Sequence, residues 1–211
     1  MILQSPQDKI LVTVKSKYTK DFGALTKRFA IEQGTSVHLE DLVNIVGTVY
    51  SLPKEITKEK QQQGYSMEEI RVGDQLIFSF SVIYDFYQKT HEGEIIHRNR
   101  ISYKGKDYWL ADITKIFAII RGEEIIMING FVMASRFAEN RLFTQPEYKT
   151  TRISKCSELL HIGSPRATQK KIKAKPGDTI YYNPAKVQKY EINGKPFLIL
   201  NQHQVLGRKV N

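Results

Sequence analysis

Cysteine is almost absent from this chain: its 211 residues include only Cys156. A single thiol excludes an internal disulfide and any cysteine-rich zinc site. No apolar run approaches the roughly 20 residues that a helix needs to cross a bilayer. The first ten residues also lack the basic start and long apolar stretch of a secretory signal peptide. These absences predict a protein of a reducing, cytoplasmic compartment with no membrane association.

Sequence motifs of the common enzyme classes are also missing. No glycine-rich phosphate loop, His-Glu-x-x-His, Gly-x-Ser-x-Gly or Cys-x-x-Cys is present. The nearest approach to a metal site is HEGEIIH, with His91, Glu92, Glu94 and His97, and a polar hairpin tip explains these residues without a metal. Cys156 would be nucleophilic only with a lowered pKa, so we interpret it as incidental. We therefore predict a non-enzymatic protein with no catalytic residue, metal or cofactor.

Basic residues outnumber acidic ones: the chain has 32 lysines and arginines and 22 aspartates and glutamates, so its formal net charge is +10. The densest basic run, QKKIKAKPGD, places Lys170, Lys171, Lys173 and Lys175 in one segment. A solvated loop entering a strand is the simplest interpretation of such a run. Single-stranded nucleic acid is an alternative ligand, since Tyr181-Tyr182 lies close by. It is not favoured, because the aromatic residues mostly occupy alternating strand positions that a core would use.

Strand patterns dominate what is present. The segment LIFSFSVIYDFY alternates, so every second residue from Phe78 to Phe86 shares one face, as in a half-buried antiparallel strand. A turn at Gly93 then allows IIHRNRISY to return as the partner strand. Many further short apolar segments are separated by turn residues, and helical patterns are few. The sequence predicts a mainly β protein of the barrel or sandwich type.

The chain also repeats its own pattern. Gly73-Asp74 and Gly177-Asp178 each precede a short apolar strand, QLIFSF in one case and TIYY in the other. Further segments match in the same order: DKILVTV with EEIIMIN, GTVYSLP with SELLHIG, and YKGKDYWLADITKIF with INGKPFLILNQHQVL. Ordered matches of this kind indicate an internal duplication.

The duplication predicts two domains, residues 1–121 and 122–211, with no linker between them other than Arg121-Gly122. Gly73 and Gly105 are 32 positions apart, whereas Gly177 and Gly194 are 17 apart, so the first half holds 15 extra residues. We expect these extra residues to form an extended hairpin near 79–102.

The repeated unit resembles the GroES-type co-chaperonin family. That family's unit has an opening strand, a long loop, a second strand, a roof loop, a Val-Gly-Asp type turn and a closing pair of strands. The segments that match are Asp8-Lys-Ile-Leu-Val and Glu124-Ile-Ile-Met-Ile, Gly47-Thr-Val-Tyr, Val72-Gly73-Asp74 and Pro176-Gly177-Asp178, and Tyr103 to Phe117 with Ile192 to Leu206. The resemblance covers nearly the whole chain, as two units.

The resemblance implies a fold and a function. Members of the family are small Greek-key β-barrels that form rings, with neighbouring barrels joined through their terminal strands. They cap chaperonins and have neither a catalytic site nor a cofactor. The expectation is therefore two tandem GroES-like Greek-key β-barrels in a homo-oligomer that binds a chaperonin. The basic run from Lys170 to Lys175 would belong to the roof loop of the second barrel.

Family members dock on the chaperonin through a mobile loop that carries an apolar tripeptide. The corresponding candidates here are glycine and apolar residues in two long loops: Phe22, Gly23, Leu25, Phe29 and Ile31 in the first half, with Leu142 and Phe143 in the second. Neither loop contains the family's tripeptide. A structural ring, collar or adaptor of a large assembly such as a phage virion is therefore an alternative function, with the virion as location, and a basic nucleic-acid-binding barrel is another.

Overall fold

The computed structural model describes residues 3–16, 43–83, 87–89, 95–97, 99–135, 155–182, 187–192 and 195–209. These residues are mainly β. The strands are β1 (Lys9–Thr13), β2 (Val46–Ser51), β3 (Gln75–Phe78), β4 (Tyr87–Lys89), β5 (Ile95–His97), β6 (Arg100–Tyr103), β7 (Lys106–Asp112), β8 (Ile116–Arg121), β9 (Glu124–Met127), β10 (Phe131–Ser135), β11 (Lys155–Ile162), β12 (Thr179–Tyr182), β13 (Gln188–Ile192), β14 (Lys195–Asn201) and β15 (Val205–Lys209). One short helix, α1 (Lys58–Gln62), and 3-10 turns at Phe80–Val82, Ile113–Lys115 and Gln202–Gln204 complete the described elements.

Two antiparallel sheets contain most of these strands. The first has seven strands in the order β6-β7-β1-β2-β3-β8-β9, and the second has six in the order β13-β14-β10-β11-β12-β15. Strands β4 and β5 form a separate hairpin within the region of the 15 extra residues. Neither sheet closes on itself through the described strands, since β6 and β9 end one sheet and β13 and β15 end the other.

The order of equivalent strands is the same in the two sheets. Six successive strands of the first sheet, β6-β7-β1-β2-β3-β8, correspond one by one to the six strands of the second. The opening strands share a register irregularity at the same place, between Leu11 and Val12 in β1 and between Met133 and Ala134 in β10. A 3-10 turn follows the equivalent strands β7 and β14 in both sheets. The two halves therefore have the same local topology.

The two Gly-Asp turns match in atomic detail. Gly73 and Gly177 both have φ of 92°, a left-handed conformation that glycine adopts at low cost. The Gly73 N–H donates to the Val49 carbonyl at 3.0 Å, and the Gly177 N–H donates to the Leu159 carbonyl at 2.8 Å. In each turn the aspartate carboxylate accepts a backbone N–H three residues upstream. The turn thus fixes how the loop before it enters β3 or β12.

The second half begins at a different strand from the one that the sequence predicts. The pattern pairs Asp8–Val12 with Glu124–Ile128, but the equivalent of β1 is β10, and β9 instead pairs with β8. Asp8 and Gly130 mark the true correspondence. Both have positive φ, 62° and 73°, and their carbonyls accept the N–H of Ile113 and of Gln202 at 3.0 Å. Two neighbouring apolar segments fit the pattern, and strand pairing decides between them.

The long alternating strand predicted from Phe78 to Phe86 is also wrong. Strand β3 ends at Phe78, and the Ser79 hydroxyl accepts the Ser81 N–H to cap a 3-10 turn. Local side-chain capping by serine competes with strand pairing at this point. The predicted return strand is likewise divided, since β5 pairs with β4 and β6 pairs with β7.

By packing, the chain divides into two compact units, residues 1–58 with 66–116 and residues 59–65 with 117–211. The core of the second unit includes a cluster of buried residues: Val132, Ala134, Leu159, Ala174, Ile180, Tyr182, Leu198 and Leu200. The first unit buries, among others, Ile10, Val12, Val49, Leu76, Phe78 and Trp109. Within the described ranges, no helix has the length and apolar character needed to cross a membrane.

Candidate functional site

The loop residues expected to dock on a chaperonin lie outside the described residues. This holds for Phe22, Gly23, Leu25, Phe29 and Ile31 in the first half and for Leu142 and Phe143 in the second. Their role stays a prediction. The other candidate, the lysine-rich loop before β12, lies within the described residues.

This lysine-rich loop, residues 170–176, belongs to the second unit. Lys170, Lys171, Lys173 and Lys175 are all exposed, whereas Ala174 is buried and Ile172 packs against the core cluster. The alternation arises because the extended backbone points successive side chains to opposite sides. The apolar residues hold the loop against the unit, and the lysines are left facing solvent.

A groove of about 530 Å³ lies between this loop and β15. We call it the basic groove. Its polar walls carry Lys170, Lys171, Lys173 and Arg208, and its apolar surface comes from Ile172, Val205 and Leu206. Among the described residues, no carboxylate lines it. The groove combines positive charge with an aliphatic surface, so it suits a segment that carries both carboxylates and aliphatic side chains.

Asp178 connects the Gly-Asp turn to the wall of the basic groove. Its Oδ2 accepts the Lys175 N–H at 2.9 Å and the Arg208 guanidinium at 2.8 Å. The backbone N–H of Lys175, followed by the hydrogen bond from Arg208, holds the pKa of Asp178 below its ordinary value. The carboxylate is therefore charged at neutral pH and orients Arg208 beside the groove. This supports the interpretation of Asp178 as a turn residue.

Strand β15 presents a free edge beside the basic groove. It pairs with β12 on one side, and no described strand pairs with its other side. The equivalent strand β8 is covered by β9, with Ile119 opposite Ile126 and Ile120 opposite Ile125. Exposure also differs: Leu206 of β15 is 67% exposed, whereas its counterpart Phe117 of β8 is 3% exposed and packs against Phe131 and Tyr190. An exposed, unpaired edge is a surface on which another strand can add.

Sequence reasoning identified the four lysines but missed the residues on the opposite wall of the groove. His203, Val205, Leu206 and Arg208 were assigned only to a closing strand. The repeat contained a usable signal, because β15 has Arg208-Lys209 at the positions where β8 has Ile119-Ile120. A change from aliphatic to basic at equivalent strand positions indicates a change of surface.

Other candidate chemistry has little support. Among the residues that the structure describes, no group of three His, Cys, Asp or Glu side chains is placed to hold a metal ion. His91, Glu92 and Glu94 lie outside those residues, and His97 is described only as part of the backbone of β5. Cys156 is half-buried on β11, opposite Tyr181 of β12. No nucleophile with an adjacent base is apparent at these positions.

Comparison with known proteins gives no family. No protein-family model matches the chain. No curated protein matches it either.

Proposed function

We propose that this protein is a non-enzymatic, tandem GroES-like co-chaperonin, in which each unit is a small β-barrel and the copies assemble into a ring. The observation that carries the proposal is the strand-by-strand duplication, with its matched Gly-Asp turns. In both halves the same turn follows a long loop and leads into the same strand, as in the family's unit. The chaperonin is the proposed partner, and the long loops around Leu25 and Leu142-Phe143 are the proposed docking elements.

The free edge of β15 supports assembly with a second copy. Within one chain, β9 lies just before the opening strand β10 and pairs with β8, the last strand of the repeat. By the same correspondence, the segment just before β1 would pair with β15 of another copy. Such head-to-tail pairing is heterologous, and it forms a closed ring when the rotation between copies closes. The proposed ring thus repeats between copies the strand pairing that the chain shows between β8 and β9.

Binding of single-stranded nucleic acid has less support. Among the described residues that line the basic groove there is no Phe, Tyr or Trp, and stacking on such side chains is a main source of sequence-tolerant single-strand binding. A role as a structural ring or collar shares the proposed assembly and differs only in the partner.

The proposal is tested by retention of the purified protein on an immobilised chaperonin with and without ATP. We expect ATP-dependent retention of the wild-type protein. Leu25→Ser should reduce retention by roughly tenfold, because the loss of one buried aliphatic side chain from a docking contact costs about 1–3 kcal/mol. Leu25→Ile serves as the matched control, since it keeps an aliphatic side chain of the same size at this position.

Two results would reject chaperonin binding: no retention of the wild-type protein, or equal retention of the wild-type protein and Leu25→Ser. If the wild-type protein is oligomeric and is not retained, the structural ring or collar becomes the better description of its function.

A further inference from the structure

The loops before the two Gly-Asp turns carry opposite charges. The turns align Gly73 with Gly177, so residues 66–72 of the first half correspond to residues 170–176 of the second. The first of these loops reads SMEEIRV and exposes Glu68, Glu69 and Arg71, for a net charge of −1, whereas the second reads KKIKAKP and exposes four lysines, for a net charge of +4. We call residues 66–72 the acidic loop. Two structurally equivalent positions thus have complementary surfaces.

The acidic loop has a defined shape. The Ile70 N–H donates to the Met67 carbonyl at 2.9 Å, and the Glu68 N–H donates to the Ser66 hydroxyl at 3.1 Å. Ile70 is buried and anchors the loop, while Val72 is 64% exposed next to the two glutamates. The loop therefore presents carboxylates beside an aliphatic side chain on an ordered backbone. These are the two features for which the basic groove is complementary.

The charge of the whole chain limits which contacts between copies are favourable. With a net charge of +10, two copies repel one another unless acidic groups face basic ones. A contact between two lysine-rich loops would place like charges together, and so would a contact between two acidic loops. Of these three combinations, only an acidic loop against a basic groove is attractive.

We propose that, in the ring, the basic groove of one copy receives the acidic loop of the next copy. The inference rests on the proposed ring assembly and adds the contact that sets the order of its copies. Pairing at the edge of β15 places the first unit of the next copy beside the groove, and the charges select that unit rather than a second copy's lysine-rich loop. Complementary attraction combined with like-charge repulsion is how interfaces specify partners. The opposite charges of the two loops thus fix a head-to-tail order.

Reversing charge on each side separately tests this inference. The groove variant is Lys171→Glu with Lys173→Glu, and the loop variant is Glu68→Lys with Glu69→Lys. All four side chains are exposed, so the fold should persist, and thermal melting of each variant checks this. We expect each variant alone to weaken assembly by at least roughly tenfold at low salt, measured by native mass spectrometry and sedimentation, because it places like charges together. Lys54→Glu with Lys58→Glu, two exposed lysines elsewhere, is the control with the same change in net charge as the groove variant.

Recovery of assembly when the two variants are combined is the decisive observation. An equimolar mixture of the groove variant and the loop variant should assemble again, because each groove then meets a loop of opposite charge. A single chain with all four substitutions should also assemble. Raising the salt concentration should weaken the wild-type assembly and narrow the differences between variants, since exposed charges are screened within about 10 Å at 0.1 M.

The outcomes separate this inference from the proposed function. If the wild-type protein assembles and both single-side variants assemble equally well, the pairing of loop and groove is wrong and the proposed ring stands. Failure of both the mixture and the fourfold variant to recover would also overturn the pairing. If the wild-type protein is a monomer at every concentration, the proposed ring fails and the inference fails with it.

Discussion

Leu198→Ala is expected to lower the free energy of unfolding of the second unit by about 2–5 kcal/mol, the usual range when a buried leucine is truncated. Leu198 is 3% exposed and belongs to the core cluster of that unit. Its strand, β14, pairs with β13 on one side and with β10 on the other, so neighbouring side chains have little freedom to fill the space. Urea unfolding followed by circular dichroism measures the change.

Leu206→Ala is the control for this prediction. It makes the same chemical change on a side chain that is 67% exposed, and exposed positions usually change stability by less than about 0.5 kcal/mol. A monomeric preparation is needed, because assembly would bury Leu206. Equal losses from the two substitutions would contradict the packing described for the second unit.

Gly64→Ala is expected to be strongly destabilising. Gly64 has φ of 81°, where alanine costs about 1–2 kcal/mol more than glycine. An added Cβ would also collide with the backbone of Ala167, and displacement of packed atoms costs about 1–3 kcal/mol more. The neighbouring Tyr65 hydroxyl accepts a hydrogen bond from Arg166 at 2.5 Å, and the guanidinium lies 4.7 Å from the centre of the Tyr65 ring. The collision would break this contact as well.

Gly73→Ala separates the backbone penalty from the collision of the added Cβ. Gly73 has a similar left-handed backbone, with φ of 92°, but an added Cβ meets nothing within 4 Å. Alanine there should cost only the backbone penalty of about 1–2 kcal/mol. Thermal unfolding of both variants measures the difference. A loss for Gly64→Ala no greater than that for Gly73→Ala would show that residues 59–65 do not pack tightly against Ala167.

The sequence was most informative where a residue type has one strong conformational reason to be present. The Gly-Asp turns were located correctly, because Gly73 and Gly177 provide the positive φ and the aspartates cap the turn. An aspartate or asparagine stands before the 3-10 turn in each closing segment, Asp112 before Ile113–Lys115 and Asn201 before Gln202–Gln204. Both signals are local, so the linear pattern contains them.

Features that depend on strand pairing were not predictable in this way. The apolar segments of β9 and β10 are similar in composition, and only their partners show that β10 opens the second half. The strand predicted through Phe80 and Val82 ended because of a serine cap. The groove combined lysines from a loop with residues of β15 about 35 positions later, and only the folded chain brings these together.

A projection image of the purified protein by electron microscopy tests the central claim most directly, namely that two-unit copies assemble into a ring. The account predicts closed rings in which every copy contributes two similar lobes, so that the number of lobes is twice the number of copies. Particles with the mass of a single chain at micromolar concentration, with no closed assembly, would contradict it.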